Sequence, residues 1–377
     1  MHVDDQKQGV DPFTELFAEA ERQLNICNSC RYCAGYCPVW PALELRTELT
    51  RADLTHLANL CHDCQDCFTA CMYTPPHEFG VNPPKVFAEL RERTYDTYIW
   101  PSRRPGFLSG RSGVLLAVLA VALLLTAVSL LTVGSDIWTS AGDGSPYAVV
   151  GHGLLVAVAA APALYSVGVM LIAGWRYWLD IGRKPSELLD GRSWTRALGA
   201  VAVLRHQSGG DEGCNYPADE PSGARKIHHQ LVMYGFLLTF VSTTSAAVLE
   251  NLMGEYPPYP YLSVPVVTGT LGGVMATIGA IGLLLLKRRA RSVRTTESMK
   301  DADTALIWAI LVLMVSGLGV LIGRTTVLFA PMLVLHLGAV LVAFAIAPYT
   351  KFVHWVFRLL SMVANEREVL QRDAATG

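Results

Sequence analysis

The sequence predicts an all-α protein in two parts: a small cysteine-rich helical domain followed by a six-helix transmembrane bundle. Three observations carry this reading. Eight of the nine cysteines fall in two short runs, CNSCRYCAGYC from Cys27 to Cys37 and CHDCQDCFTAC from Cys61 to Cys71. Around these runs apolar residues recur at helical spacing, with no valine-rich alternation. Beyond them come six apolar stretches, each near the roughly 20 residues that span a bilayer.

The composition divides the chain in the same place. The whole is 51% hydrophobic and 16% charged, with a formal net charge of −2. Residues 1–100 carry fifteen acidic and eight basic side chains, about −7, and the remainder seventeen and twenty-two, about +5. The boundary falls near Trp100–Pro105. Residues 1–105 form the first domain, 106–360 the membrane domain, and 361–377 a tail. No nucleic-acid partner is expected.

Each cysteine run reads C-x2-C-x2-C-x3-C. Three cysteines two residues apart wrap one corner of an iron–sulfide cube. The fourth sits too far round to close that cube, and in two-cluster ferredoxins it serves the other one. The spacing therefore predicts two [4Fe–4S] clusters with crossed ligands. Cys27, Cys30, Cys33 and Cys71 hold the first. Cys61, Cys64, Cys67 and Cys37 hold the second. Pro38 follows the first run as in ferredoxins, while Met72 follows the second. Zinc sites prefer two pairs of ligands, and disulfides suit a secreted chain, whereas no signal peptide is expected here. Helices are predicted from Pro12, with Asp11 as N-cap, between the two runs, and after Pro83–Pro84. The first domain is thus a helical dicluster ferredoxin rather than a β-rich one.

The six apolar stretches are 113–133, 149–174, 229–249, 265–286, 304–323 and 328–350. The 134–148 and 250–264 connections lack Lys and Arg, whereas the 175–228 connection and KRRARSVR at 287–294 are rich in them. By the positive-inside rule, the first domain, both basic loops and the C-terminus face the cytoplasm. An inner-membrane protein is expected, with Trp138, Tyr147, Trp175, Trp178, Tyr259 and Trp355 at its interfaces.

Ionisable residues in membrane spans are costly and usually functional. His336 and His354 lie 18 residues apart on the sixth stretch, about five turns and 27 Å of helix, on one face with the small residues Ala343 and Ala347. His152 opens the second span towards the outside, and His228 and His229 open the third towards the inside. The ends match. His152 with His336 would hold an outer b-type haem, and His354 with His228 or His229 an inner one. His228 continues into a face of small residues, Gly235, Thr239, Ser242 and Ala246, and is favoured over His229, which continues into Met233, Phe236 and Phe240. One or two haems are expected. The long inner loop offers His206 and Cys214, read as parts of an ordered loop with a free thiol. No G-x-G-x-x-G, P-loop or nucleophile–base arrangement is present, so the chain has no organic-substrate site of its own and needs a partner.

The double cysteine run, GGDEGCNYP, HHQLVMYGFLLTFVSTTSA, PYPYLSVPVVTGTLGG and PYTKFVHWVFR resemble the tricarballylate utilization protein B (CitB) family, from Cys27 to Arg358. The resemblance implies re-oxidation of the reduced FAD of a partner dehydrogenase, acting on a tricarballylate- or citrate-type substrate, with electrons delivered to membrane quinone. In that reading the dehydrogenase docks at the cytoplasmic face. Two other readings stand beside it. One is an anchor carrying electrons from quinol to a soluble reductase. The other is a tricarboxylate transporter with a redox-sensing head, against which the absence of repeats and of charges at the span centres speaks.

Overall fold

A computed structural model of the chain describes residues 12–101, 111–134, 137, 144–209, 213–290 and 297–376. Among these the fold is all helical, with a single isolated bridge between Cys214 and Ser222. The predicted N-cap Asp11 and interfacial Trp138 lie outside the described residues, as does part of the 134–148 connection.

Three helices build the first domain: α1 (Pro12–Cys30), α3 (Arg51–Leu60) and α5 (Pro83–Tyr98), with the short α2 (Val39–Glu44) and α4 (Asp66–Thr69) between them. Phe17, Ala20 and Leu24 follow the three-and-four spacing of a buried helical stripe and are inaccessible. Helix α3 opens with a capping box. The Thr50 side chain accepts from the Asp53 amide, and Asp53 accepts from the Thr50 amide in return. Asn82 caps α5 ahead of Pro83, and its own amide donates to Gln23 Oε1 at 2.8 Å, tying α5 to α1. These caps fix where the cysteine loops begin.

Six helices are long and apolar enough to cross a membrane: α6 (Arg111–Thr132), α7 (His152–Asp180), α9 (Ala224–Met253), α10 (Val264–Arg289), the Asp303–Ile322 part of α11 (Glu297–Ile322), and α12 (Phe329–Ile346) with the turn after it. They match the six predicted stretches within a few residues. Leu116, Leu123 and Leu131 of α6 are largely exposed, as lipid-facing side chains must be. Helices α9 and α10 form a tight hairpin. A Cβ on Gly235 would lie 2.6 Å from the Ala276 amide nitrogen and 2.7 Å from the Gly272 carbonyl. Only glycine permits that approach.

Two expectations need correction. The sixth span is not one helix as far as His354. Helix α12 stops at Ile346, two 3₁₀ turns follow (Ala347–Tyr349 and Lys351–Val353), and α13 (His354–Thr376) begins at the histidine. Pro348 supplies no N–H to continue the ladder, and Thr350 is extended, its hydroxyl accepting from the Phe352 amide. His336 and His354 therefore do not share a helix face. Second, residues 361–377 are not a free tail. Helix α13 buries Val356, Phe357, Met362, Val363 and Ala364 in one core with Leu54, Leu57, Phe87 and Leu90 of the first domain and Tyr177 of α7. Phe357 stacks on Tyr95 at 4.7 Å. Glu368 receives both Arg46, at 2.9 Å, and Arg183. Trp178, expected at an interface, belongs to this core too, fully buried, with Nε1 donating to the Lys184 carbonyl. The connection after α7 carries a further helix, α8 (Gly191–Ala202), capped by Asp190 and packed on α13.

Candidate functional site

The two cysteine runs come together, with members of each run within electrostatic reach of the other. Cys27 and Cys30 occupy the last turn of α1, three apart and hence on one face. Arg31 then turns left-handed, at φ 56°, and brings Cys33 back. Cys27 lies within electrostatic reach of Cys71, Cys33 and Cys30. Cys64 lies within reach of Cys37 and Cys61, Cys67 of Cys64, Cys37, Cys61 and Cys33, and Cys37 of Cys61 and Cys33. Burial, followed by these neighbours, pushes the Cys27 and Cys33 thiols up to about 12. Cys37, Cys64 and Cys67 are pushed up as well, again by burial first. Thiols so crowded ionise together only around a strong positive charge.

The backbone suits such a guest. Asp63 and Gln65 both adopt left-handed conformations, at φ 59° and 70°, within one cysteine loop. Alternation of this kind turns successive N–H groups inward as an anion-binding nest, a device of many iron–sulfur sites. The Asp63 amide donates to Cys61 Sγ at 3.4 Å and the Tyr73 amide to Cys71 Sγ at 3.3 Å. Cys27, Cys30, Cys33, Cys67 and Cys71 line one recess. Trp40 lines it as well, its buried indole N–H without a partner. Among the described residues no three His, Cys, Asp or Glu side chains form a single-ion site. A tetrahedral zinc would draw its sulfurs to about 3.8 Å of one another. The donor sets thus fit two larger, anionic, all-sulfur groups.

The histidines divide differently from the sequence expectation. His229 of α9 faces His354 at the start of α13, with ring centres 6.4 Å apart and planes at 89°. Two imidazoles on opposite sides of one iron, at metal–nitrogen distances of about 2.0 Å, put their ring centres about 6.3 Å apart. The pair fits a bis-histidine haem. His354 Nδ1 donates to the Lys351 carbonyl at 2.5 Å, which leaves Nε2 free to bind a metal. Lys351 is itself held by Asp303, which also binds Lys287, each at 2.5 Å.

His228, the favoured candidate, is turned away. Its ring lies on α10, where a Cβ on Gly282 would come within 2.2 Å of Nδ1. The small-residue stripe it begins is the α9–α10 packing face. The outer pair is not brought together either. His152 stacks on Tyr147 at 5.2 Å and reaches Glu250 at 3.4 Å. His336 lies about two turns inside α12, with Nδ1 3.1 Å from Ser316 Oγ.

A junction that sequence reasoning missed joins the two sites. Arg225 precedes His229 by four residues on α9, and Arg358 follows His354 by four on α13, so each sits one turn from its histidine. Both reach the same cysteine loop. Arg358 donates to the Cys61 carbonyl at 2.8 Å, and Arg225 donates to the Asp63 carbonyl and pairs with the Asp63 carboxylate at 3.4 Å. Arg91 of α5 reaches the same loop from the other side, donating to Ala58 O at 2.7 Å and Cys61 O at 3.5 Å. The signal was present in RKIHH and HWVFR. The loop before α9 covers this junction: the Asn215 amide donates to Asp66 at 2.9 Å, and His206 meets His62 at 5.1 Å. Cys214 is fully buried, its thiol donating to Gln207 O at 3.0 Å, and burial lifts it to about 11. It is a packing thiol.

Comparison with known proteins finds two family matches on the chain. The family described as Citrate utilization protein B matches residues 108–375, and the Citrate utilization protein B Fer4-like domain matches residues 20–97. Citrate utilization protein B of Escherichia coli is 35% identical over 355 residues, covering 93% of this chain and 92% of that protein. No solved structure matches the chain. With a Fer4-like domain over both cysteine runs and six helices able to span a membrane, the chain belongs to the citrate utilization protein B family.

Proposed function

We propose that this chain is an inner-membrane electron-transfer protein that re-oxidises the reduced FAD of a partner dehydrogenase and passes the electrons to membrane quinone. The partner's substrate is of the tricarballylate or citrate class. Two [4Fe–4S] clusters, on Cys27, Cys30, Cys33 and Cys71 and on Cys61, Cys64, Cys67 and Cys37, together with one b-type haem on His229 and His354, supply one-electron chemistry when bound. The observation that carries the reading is the junction. The Cys61–Asp63 loop is hydrogen-bonded to arginines one helical turn from each histidine of the pair.

The protein's own contribution is position and insulation. Reduced FAD surrenders two electrons and two protons, and quinone takes up two of each. Iron–sulfur and haem sites move electrons singly, so the chain splits the pair. The Cys27 group stands near the surface, with Cys30 exposed and Tyr32 and Met72 beside it largely uncovered. That is where a flavoprotein would dock. Cys61 and Cys64 are buried, which keeps water from the inner relay. Lys287, Arg288 and Arg289 end α10 on the side facing the first domain, which supports a cytoplasmic first domain by the positive-inside rule.

The test is reconstitution. The chain, purified without oxygen and placed in quinone-containing vesicles, should oxidise a reduced partner flavoprotein and reduce quinone in a two-electron ratio. Cys64→Ser should stop quinone reduction while the flavoprotein remains active with artificial acceptors. Transfer that persists at full rate in Cys64→Ser sinks the reading.

A further inference from the structure

The cysteine loops differ in one respect that the shared spacing conceals. Three guanidinium groups converge on the Cys61–Asp63 loop: Arg91, Arg358 and Arg225. Arg91 is 3% exposed, and Arg225 keeps 18% of its side chain accessible. Arg225 has the Asp63 carboxylate as counterion. Arg91 and Arg358 meet carbonyl oxygens instead, and Arg358 Nε is buried without a hydrogen-bond partner. Removing a cation from water is costly unless a negative charge compensates it. Buried positive charge of this amount calls for a buried anion.

A ligated [4Fe–4S] cluster is such an anion. Its four thiolates outweigh the charge of the cube, and reduction adds one more negative charge. Around the Cys27 group the setting is different. The one cation lining that recess is Arg31, which is exposed and donates to the Asn28 carbonyl at 2.9 Å. Asp66 lies within electrostatic reach of Cys33, Cys37 and Cys64, so it bears on both groups and does not separate them. Nearby charge and solvent exposure are principal determinants of cluster potential.

We propose that Arg91, Arg225 and Arg358 form a cationic cage that gives the cluster on Cys37, Cys61, Cys64 and Cys67 the higher reduction potential of the two. The cage favours the reduced, more negative form of this inner cluster. An electron arriving at the exposed Cys27 group then leaves that cluster oxidised and the inner one reduced, with no proton moved. The gradient points towards His229 and His354, so the fold is built to take electrons from a soluble donor into the membrane rather than the reverse. This inference rests on the two-cluster reading given above.

The experiment is a redox titration of the full-length protein, purified without oxygen in detergent and followed by electron paramagnetic resonance. Cys64→Ser identifies the inner signal. In the unaltered protein that signal should have the higher midpoint. Arg358→Gln should lower the inner midpoint and leave the outer one in place, and Arg358→Lys, which keeps the charge, should recover most of the shift. An inner midpoint at or below the outer one overturns the inference, as does an unmoved inner midpoint in an Arg358→Gln protein with full iron content. Should Arg358→Gln fail to retain the cluster, the order of midpoints in the unaltered protein and the Arg358→Lys shift decide. A chain that holds only one cluster contradicts the two-cluster reading itself.

Discussion

His56 shows what a single side chain contributes to the first domain. It lies on α3, 2% exposed, with neither ring nitrogen hydrogen-bonded. Burial, then Arg46 and Arg183 nearby, hold its pKa well below 6.5. A histidine whose folded pKa is depressed binds fewer protons folded than unfolded. Its contribution to stability is complete above the unfolded pKa and is lost as pH falls below about 6.5. The melting temperature should therefore fall on acidification below that point, and His56→Leu should flatten the fall. A melting profile equally steep in His56→Leu would exclude this residue as the cause. At the same scale, Cys37→Ser should damage the cluster shared with Cys61, Cys64 and Cys67 under the proposed crossed ligation, in which Cys37 is within reach of Cys61 and Cys64. Iron analysis with paramagnetic resonance would show the other cluster's signal intact; loss of the Cys27 group's signal alone would contradict the crossed arrangement.

The helices show how packing decides what a sequence pattern leaves open. The stripe of His228, Gly235, Thr239 and Ser242 was recognisable as small and close-packing. What it packs against was not, since a stripe of that kind serves a macrocycle or another helix equally well. Gly235 against Gly272 and Ala276 settles it, and the stripe carries His228 onto α10. His229, one residue and about 100° further round, is left to face His354. Gly235→Val should disrupt this hairpin, because its Cβ would meet backbone atoms at 2.6 and 2.7 Å. A loss of about 1–3 kcal/mol follows from overpacking of this kind, read as a lower melting temperature in detergent. The six spans were legible because about 20 apolar residues have few other uses. The break at 347–353 was not, since Pro348 stands inside an apolar run that hydropathy does not interrupt. Helix α13 was legible in principle: Val356, Phe357, Leu360, Val363 and Ala364 recur at helical spacing, yet the polar residues after them read as a tail. The cysteine spacing carried the most information, because the Fer4-like domain match covers both runs.

At the scale of the molecule, α13 makes one body of two parts that composition separates. It starts beside the end of the membrane bundle that meets the first domain and packs on α3, where Glu368 binds Arg46 of the first domain and Arg183 of the connection after α7. Side-chain exposures of 9–16% make this pair more than a surface contact. Glu368→Ala should cost about 1.5–3 kcal/mol, since it removes charge-assisted bonds to two poorly solvated guanidinium groups, which keep only Asp53 and Glu187 as partners. It should also loosen the first domain from the bundle, seen as faster proteolysis at the 99–111 connection. Cleavage there at an unchanged rate would mean that α13 holds the two parts by its apolar face alone. This attachment fixes the distance from the Cys61 loop to His229 and His354, on which electron transfer depends. Visible absorbance of the reduced, purified protein tests that central claim most directly, compared among the unaltered chain and its His354→Ala, His229→Ala and His228→Ala variants. The account predicts a low-spin b-type spectrum that His354→Ala and His229→Ala abolish and His228→Ala retains, with cluster iron unchanged in all four. A low-spin haem that survives His229→Ala and vanishes in His228→Ala would contradict it.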